Sequence, residues 1–217
     1  MLAAVVGEDK FLKGVSIYLK KRLFGNSVTE DLWNGISEAS GVDVAKIMKE
    51  WTLKVGFPVI TVDEVDNGQK IKVRQNRFLN TGDVKPEEDE TLWYVPLELK
   101  TVGKDGKASI DHKAILHERE ATFDVTDAQA FKLNAETVGV YRVAYTPERL
   151  SKLGEEAAKK DSGFTTEDRI GLVSDAMTLA RAGYSKTSGG LNLISKLSSE
   201  QEFRVWDSIA MSLGKLK

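Results

Sequence analysis

The sequence predicts a multidomain chain of α and β structure: a small helical segment, an antiparallel β-sandwich, then an α-helical segment of the superhelical, repeat-like kind. Three observations predict it. Apolar residues recur at helical spacing as far as Leu53, at strand spacing between Val59 and Tyr145, and at helical spacing again from Leu150 onward. The two switches of period fall at Gly56-Phe57-Pro58 and at Thr146-Pro147-Glu148, dividing the chain into residues 1–56, 57–146 and 147–217. At the first, Gly56 suits the left-handed position past a helix end, and Pro58 biases Phe57 toward extended geometry. At the second, a hydroxyl cap, a proline at the first helical position and an acid in the first turn open a helix.

In the first segment Phe11, Val15 and Tyr18 share one helical face, and the cations Lys20-Lys21-Arg22 suit the end of that helix near Leu23. Gly25-Asn26 turns the chain, and Thr29 is the expected N-cap of a helix burying Leu32, Trp33 and Ile36. Asp43 caps a third helix with Val44, Ile47, Met48 and Trp51 on one stripe. The apolar start Met1-Leu2-Ala3-Ala4-Val5-Val6 has no cap before it and reads as a helix joined midway, so a truncated chain is expected.

In the second segment Val59 to Val62 and Lys70 to Gln75 flank Asp66-Asn67-Gly68, the signature of a hairpin. A polar, acidic stretch runs from Asn80 to Glu90. Trp93, Val95, Leu97 and Leu99 then alternate with polar partners, with Pro96 marking an edge or a bulge. Short strands are expected over residues 108–110, 114–118, 121–125, 131–134 and 139–145, the last with Tyr141, Val143 and Tyr145 on one face. Around seven short strands at this spacing read as a sandwich.

In the third segment Leu150, Leu153 and Ala157 form a stripe, and Thr166 caps a helix burying Ile170, Val173, Met177 and Ala180, with Gly183 ending it. A further helix starts near Ser188. Ser199-Glu200-Gln201-Glu202 is a capping-box pattern for a last one carrying Phe203, Trp206, Ile209 and Leu213.

A formal charge of −2 from 31 basic and 33 acidic residues provides no global field for nucleic acid or an anionic membrane, so neither partner is expected. With no cysteine, there is no disulfide, thiolate metal site or cysteine nucleophile. No Asn-x-Ser/Thr sequon occurs, which agrees with a cytoplasmic location. The two histidines, His112 and His117, do not make a zinc pair. His117-Glu118-Arg119-Glu120-Ala121 has alanine where H-E-x-x-H needs its second histidine, its setting is strand-like, and on a regular strand the two rings would face opposite ways. The acids Glu87 to Glu90 lack the spacing of a calcium loop. The four tryptophans Trp33, Trp51, Trp93 and Trp206 sit in apolar stripes and are read as core. No catalytic, cofactor-binding or metal-binding residue is assigned from the residues.

Gly7-Glu8-Asp9-Lys10-Phe11, Gly14, Tyr18-Leu19, Phe24-Gly25-Asn26, Thr29, Asp31-Leu32-Trp33, Ser40-Gly41, Met48, Trp51 and Gly56-Phe57-Pro58-Val59 resemble a segment of the zinc aminopeptidase family. That family includes the puromycin-sensitive and alanyl aminopeptidases. Arg169, Leu172, Asp175, Leu179, Gly183 and Trp206 resemble the opening helices of its C-terminal superhelical domain. The resemblance implies that residues 1–56 are the end of a thermolysin-like catalytic domain, 57–146 a β-sandwich and 147–217 the start of the helical domain. It also implies a full-length parent that uses zinc to remove N-terminal residues from peptides. The family's zinc site, amino-group motif and intermediate-stabilising tyrosine would all precede Met1, so none transfers to this sequence and the chain alone is expected to be inactive and zinc-free. A stand-alone sandwich scaffold derived from the family is the alternative. Apolar surface at Leu2, Val5, Val6 and the last helix is expected to favour self-association.

Overall fold

The computed structural model describes residues 1–82 and 84–216; Asp83, within the acidic 80–90 stretch, and Lys217, at the end of the third predicted segment, lie outside the described residues. The chain forms two compact units, Met1–Val55 and Gly56–Lys217. Together they carry the mixed α and β architecture that the patterning predicts, with helices flanking mostly antiparallel sheets.

The first unit holds α1 (Leu2–Val6), α2 (Glu8–Lys21), α3 (Thr29–Ser40) and α4 (Val44–Leu53). Helices α2 and α3 approach through Gly14 and Gly35: a Cβ on Gly14 would lie 2.5 Å from the Ile36 Cα, and one on Gly35 2.7 Å from the Gly14 carbonyl oxygen. Val6, Ile36 and Val44 centre the core, with Leu2, Val5, Phe11, Trp33 and Met48 packed against them. Leu2, Val5 and Val6 therefore do not form the exposed patch expected of them. The exposed large apolar residues of this unit are Leu12, Leu19, Leu23, Phe24, Val28, Leu53 and Val55. Asp43 caps α4, accepting from the Lys46 amide at 3.0 Å. The expected Thr29 cap is corrected by one residue. Val28 is the N-cap, and the Asp31 carboxylate accepts its amide at 3.0 Å.

In the second unit β1 (Pro58–Val65) and β2 (Lys70–Arg77) form the predicted hairpin. Strand β7 (Glu120–Asp124) joins β2, and β9 (Arg142–Tyr145) joins β1 in parallel, giving the order β7-β2-β1-β9. A second sheet has the order β5 (Ala108–Asp111), β4 (Leu99–Gly103), β8 (Ala128–Lys132), and β3 (Val95–Pro96) pairs with β6 (Ile115–Leu116). The single alternating run from Trp93 to Leu99 is thus broken into two strands. Pro96 supplies no amide, and Glu98 turns to φ +43, which ends the ladder between them. Trp93 is fully buried, and its backbone is clamped by the Gln75 side chain. The Trp93 amide donates to Gln75 Oε1 at 2.9 Å, and Gln75 Nε2 donates to the Trp93 carbonyl at 3.0 Å.

Four helices follow: α5 (Pro147–Ala157), α6 (Thr166–Arg181), α7 (Thr187–Lys196) and α8 (Phe203–Gly214). Thr146 caps α5 as predicted, accepting from the Arg149 amide. The α6 cap is Thr165 and not Thr166; its hydroxyl accepts the Asp168 amide at 3.3 Å. The Ser199 capping box does not form. Ser199 lies in a short 3-10 turn, and Glu200 instead accepts the amides of Gln201 and Glu202. Of the predicted α8 stripe only Ile209 is buried, joined by Val205; Trp206 is 42% exposed and Phe203 76% exposed, so Trp206 is not a core residue.

Candidate functional site

The densest polar chemistry of the second unit is a buried seam where α5 and α6 meet the sheets. On the β4–β8 ladder Lys100 and Lys132 are register partners, and both are 3% exposed. Like charges directly opposite across a ladder repel. Asp168, fully buried on the first turn of α6, lies between them: Lys100 Nζ is 2.5 Å from its Oδ2, and Lys132 Nζ is 3.2 Å from Oδ1. The same carboxylate accepts the Glu136 amide at 2.7 Å and the Thr165 amide at 3.0 Å. Lys132 also donates to the carbonyls of Leu133 and Asn134. Burial alone would raise the Asp168 pKa. The Lys132 charge and the bonds from Lys100, Glu136 and Thr165 outweigh it, and the carboxyl sits below its ordinary value. Burial pushes the Lys132 amine down, with the Asp168 charge opposing.

Two turns further along α6, Asp175 meets β9, the edge strand of its sheet. Its Oδ2 accepts the Val143 amide at 3.0 Å, and its Oδ1 accepts from Arg142 Nη1 at 2.8 Å. Burial raises the Asp175 pKa against the pull of Arg142. Where α5 begins, Arg149 Nε donates to Glu64 Oε1 of β1 at 2.8 Å, while its guanidinium stacks 4.2 Å from the Phe131 ring centroid. That bond holds the Glu64 carboxyl below its ordinary value. Past the end of α6, Tyr184 stacks on Phe78, which stacks on Phe57, at centroid distances of 5.6 and 5.1 Å. The Tyr184 hydroxyl accepts the Leu79 amide at 3.1 Å.

Every charge in the seam is matched to a partner, which suits the region for holding parts together. The two histidines have different neighbours. His112, in the turn after β5, has Nδ1 2.6 Å from Glu98 Oε2, and His117 packs beside Tyr94. They do not share a strand, so the expected opposite-facing arrangement does not arise. Sequence reasoning passed over Lys100, Lys132, Asp168 and Arg149. One signal was available: Thr165-x-x-Asp168 is a capping pattern, and Asp168, Leu172, Asp175 and Leu179 fall at i, i+4, i+7 and i+11, one face of a helix.

Comparison with known proteins relates the sequence to aminopeptidases. Residues 1–51 match the family model for the peptidase family M1 domain, and residues 130–217 match the ERAP1-like C-terminal domain. The chain is 48% identical over 217 residues to Aminopeptidase 2, mitochondrial, of Saccharomyces cerevisiae, and 43% identical over 217 residues to the Alanine/arginine aminopeptidase of the same yeast. It is 33% identical over 223 residues to the Puromycin-sensitive aminopeptidase of Caenorhabditis elegans. These alignments cover 100% of this chain but only 22%, 24% and 23% of the respective relatives, so the chain spans less than a quarter of their length. Together these matches support an M1 aminopeptidase family fragment. The metal that this family implies does not fit the residues in hand. Among the described residues no three His, Cys, Asp or Glu side chains gather as a metal ion requires, and the His112 ring is turned to Glu98.

Proposed function

We propose that this chain is the stretch of a cytoplasmic zinc aminopeptidase that links its catalytic domain to its helical domain, in an enzyme that removes N-terminal amino acids from peptides. In this reading residues 1–56 complete the catalytic domain, 57–146 form the supporting sandwich, and 147–217 begin the helical domain. The observation that carries it is the order of the two family matches along one chain, 1–51 and 130–217, with strands β1 to β7 between them. The buried seam supports the bridging role, because it ties β1, β4, β8 and β9 to α5 and α6 with charged bonds shielded from water. Relatives named for alanine or arginine and for glutamyl residues align over almost the same stretch, which supports placing substrate preference outside it.

The test has two arms. The isolated 217-residue chain is expected to carry no stoichiometric zinc by elemental analysis and to leave aminoacyl-arylamides intact. The complete gene product containing it is expected to hydrolyse them and to lose turnover with a chelator. One tightly bound zinc in the isolated chain overturns the linking role, and a complete product without turnover overturns the aminopeptidase reading in favour of a scaffold.

A further inference from the structure

We propose that α6 is a clasp that makes the sandwich and the helices 147–214 one cooperative body, so that neither opens alone. The inference rests on the bridging role and names the device that performs it. The loop that α6 grips is held in an unfavourable backbone: Asn134, Glu136 and Thr137 have φ of +57, +55 and +58. L-residues with side chains seldom adopt this conformation, and such a loop persists only where its surroundings over-determine it.

The surroundings do so from two sides. On the sheet side the Asn134 amide donates to the Leu97 carbonyl at 2.9 Å, and the Ala135 amide to the Glu98 carbonyl at 3.1 Å. On the helix side the Glu136 amide donates to Asp168 and the Thr137 hydroxyl to the Glu167 carbonyl, at 2.7 and 2.8 Å. The approach is close enough that a Cβ on Gly171 would lie 2.1 Å from Thr137 Oγ1. Asp175 then takes the outward amide of β9, and beyond the helix end Tyr184 takes the Leu79 amide. Three fastenings therefore run from the first turn of α6 to just past its last. A segment that opens by itself has few buried contacts and solvent-exposed backbone bonds, and this seam has the reverse.

Hydrogen exchange read by mass spectrometry on the 217-residue chain tests the clasp, with D168N removing its charge and G171A wedging its backbone. In the parent chain the slowest amides of β1–β2 and of α6 and α8 are expected to exchange together. In each variant the acceleration of the α6 and α8 amides is expected to exceed that of residues 58–77 on the order of tenfold. R204A, which removes an exposed pair with Glu167, is expected to change neither. Variants that accelerate both regions equally, or neither, overturn the proposal. If D168N does not fold, G171A decides by the same criterion. The readout involves neither zinc nor turnover, so its failure leaves the aminopeptidase reading standing, and the reverse holds too.

Discussion

Asp168 pairs with both of the lysines that the β4–β8 register sets opposite each other, and its removal leaves them buried without that shared partner. Breaking a buried pair by deleting one member costs about 3–5 kcal/mol, so Asp168→Ala is expected to lower unfolding stability by that amount in urea titrations. The pH dependence has a definite sign. The folded pKa of Asp168 lies below its ordinary 3.8, so the stability it contributes is fully present above about pH 4 and is lost as pH falls through the folded value. Asp175 works the other way: its raised pKa means that its charged form costs stability above the folded value, and protonation in acid relieves that cost. Acid titration of the second unit should therefore lose stability below about pH 4, with a shallower acid limb in D168N. An acid limb of equal slope in parent and variant would show that Asp168 is not the group responsible.

Helix α6 also marks where sequence patterning succeeds and where it stops. Its existence, its approximate start and its end at Gly183 follow from periodicity and turn chemistry, and Val173 and Met177 are buried as read. The face carrying Asp168, Leu172, Asp175 and Leu179 escaped because aspartate reads as solvated, and nothing local says that two lysines 68 and 36 residues upstream converge on it. A helix buried on several sides has no polar stripe to reveal its orientation. The same limit explains the strand break at Glu98, whose left-handed backbone is set by a partner loop distant in sequence. One-residue errors at caps are the remaining kind: Thr165 and Thr166 are chemically equal, and only geometry chooses. Thr165→Ala is thus expected to cost about 1 kcal/mol and Thr166→Ala no more than about 0.5 kcal/mol by denaturant unfolding. Equal losses at the two sites would contradict the cap assignment.

At the scale of the whole chain, each unit presents large apolar side chains to solvent: Leu12, Leu19, Leu23, Phe24 and Val28 in the first, and Phe203, Trp206, Met211 and Leu213 in the second. Scattered exposed apolar residues are ordinary, but runs on one helix or one corner mark association surfaces. Phe24 is the extreme case, at 101% exposure with φ +59, a conformation that an aromatic residue gains nothing from locally. Such residues contribute little to folding the chain they belong to and much to burying it against another surface. The isolated chain is therefore expected to self-associate, with a mass by light scattering that rises with concentration. Phe24→Asn, which tolerates a left-handed backbone, combined with Phe203→Ser should return it toward a monomer while changing unfolding stability by no more than about 0.5 kcal/mol per site. A clean monomer in the parent chain at every concentration would mean that these surfaces do not drive association. A double variant that associates as the parent does would place the contact elsewhere on the molecule.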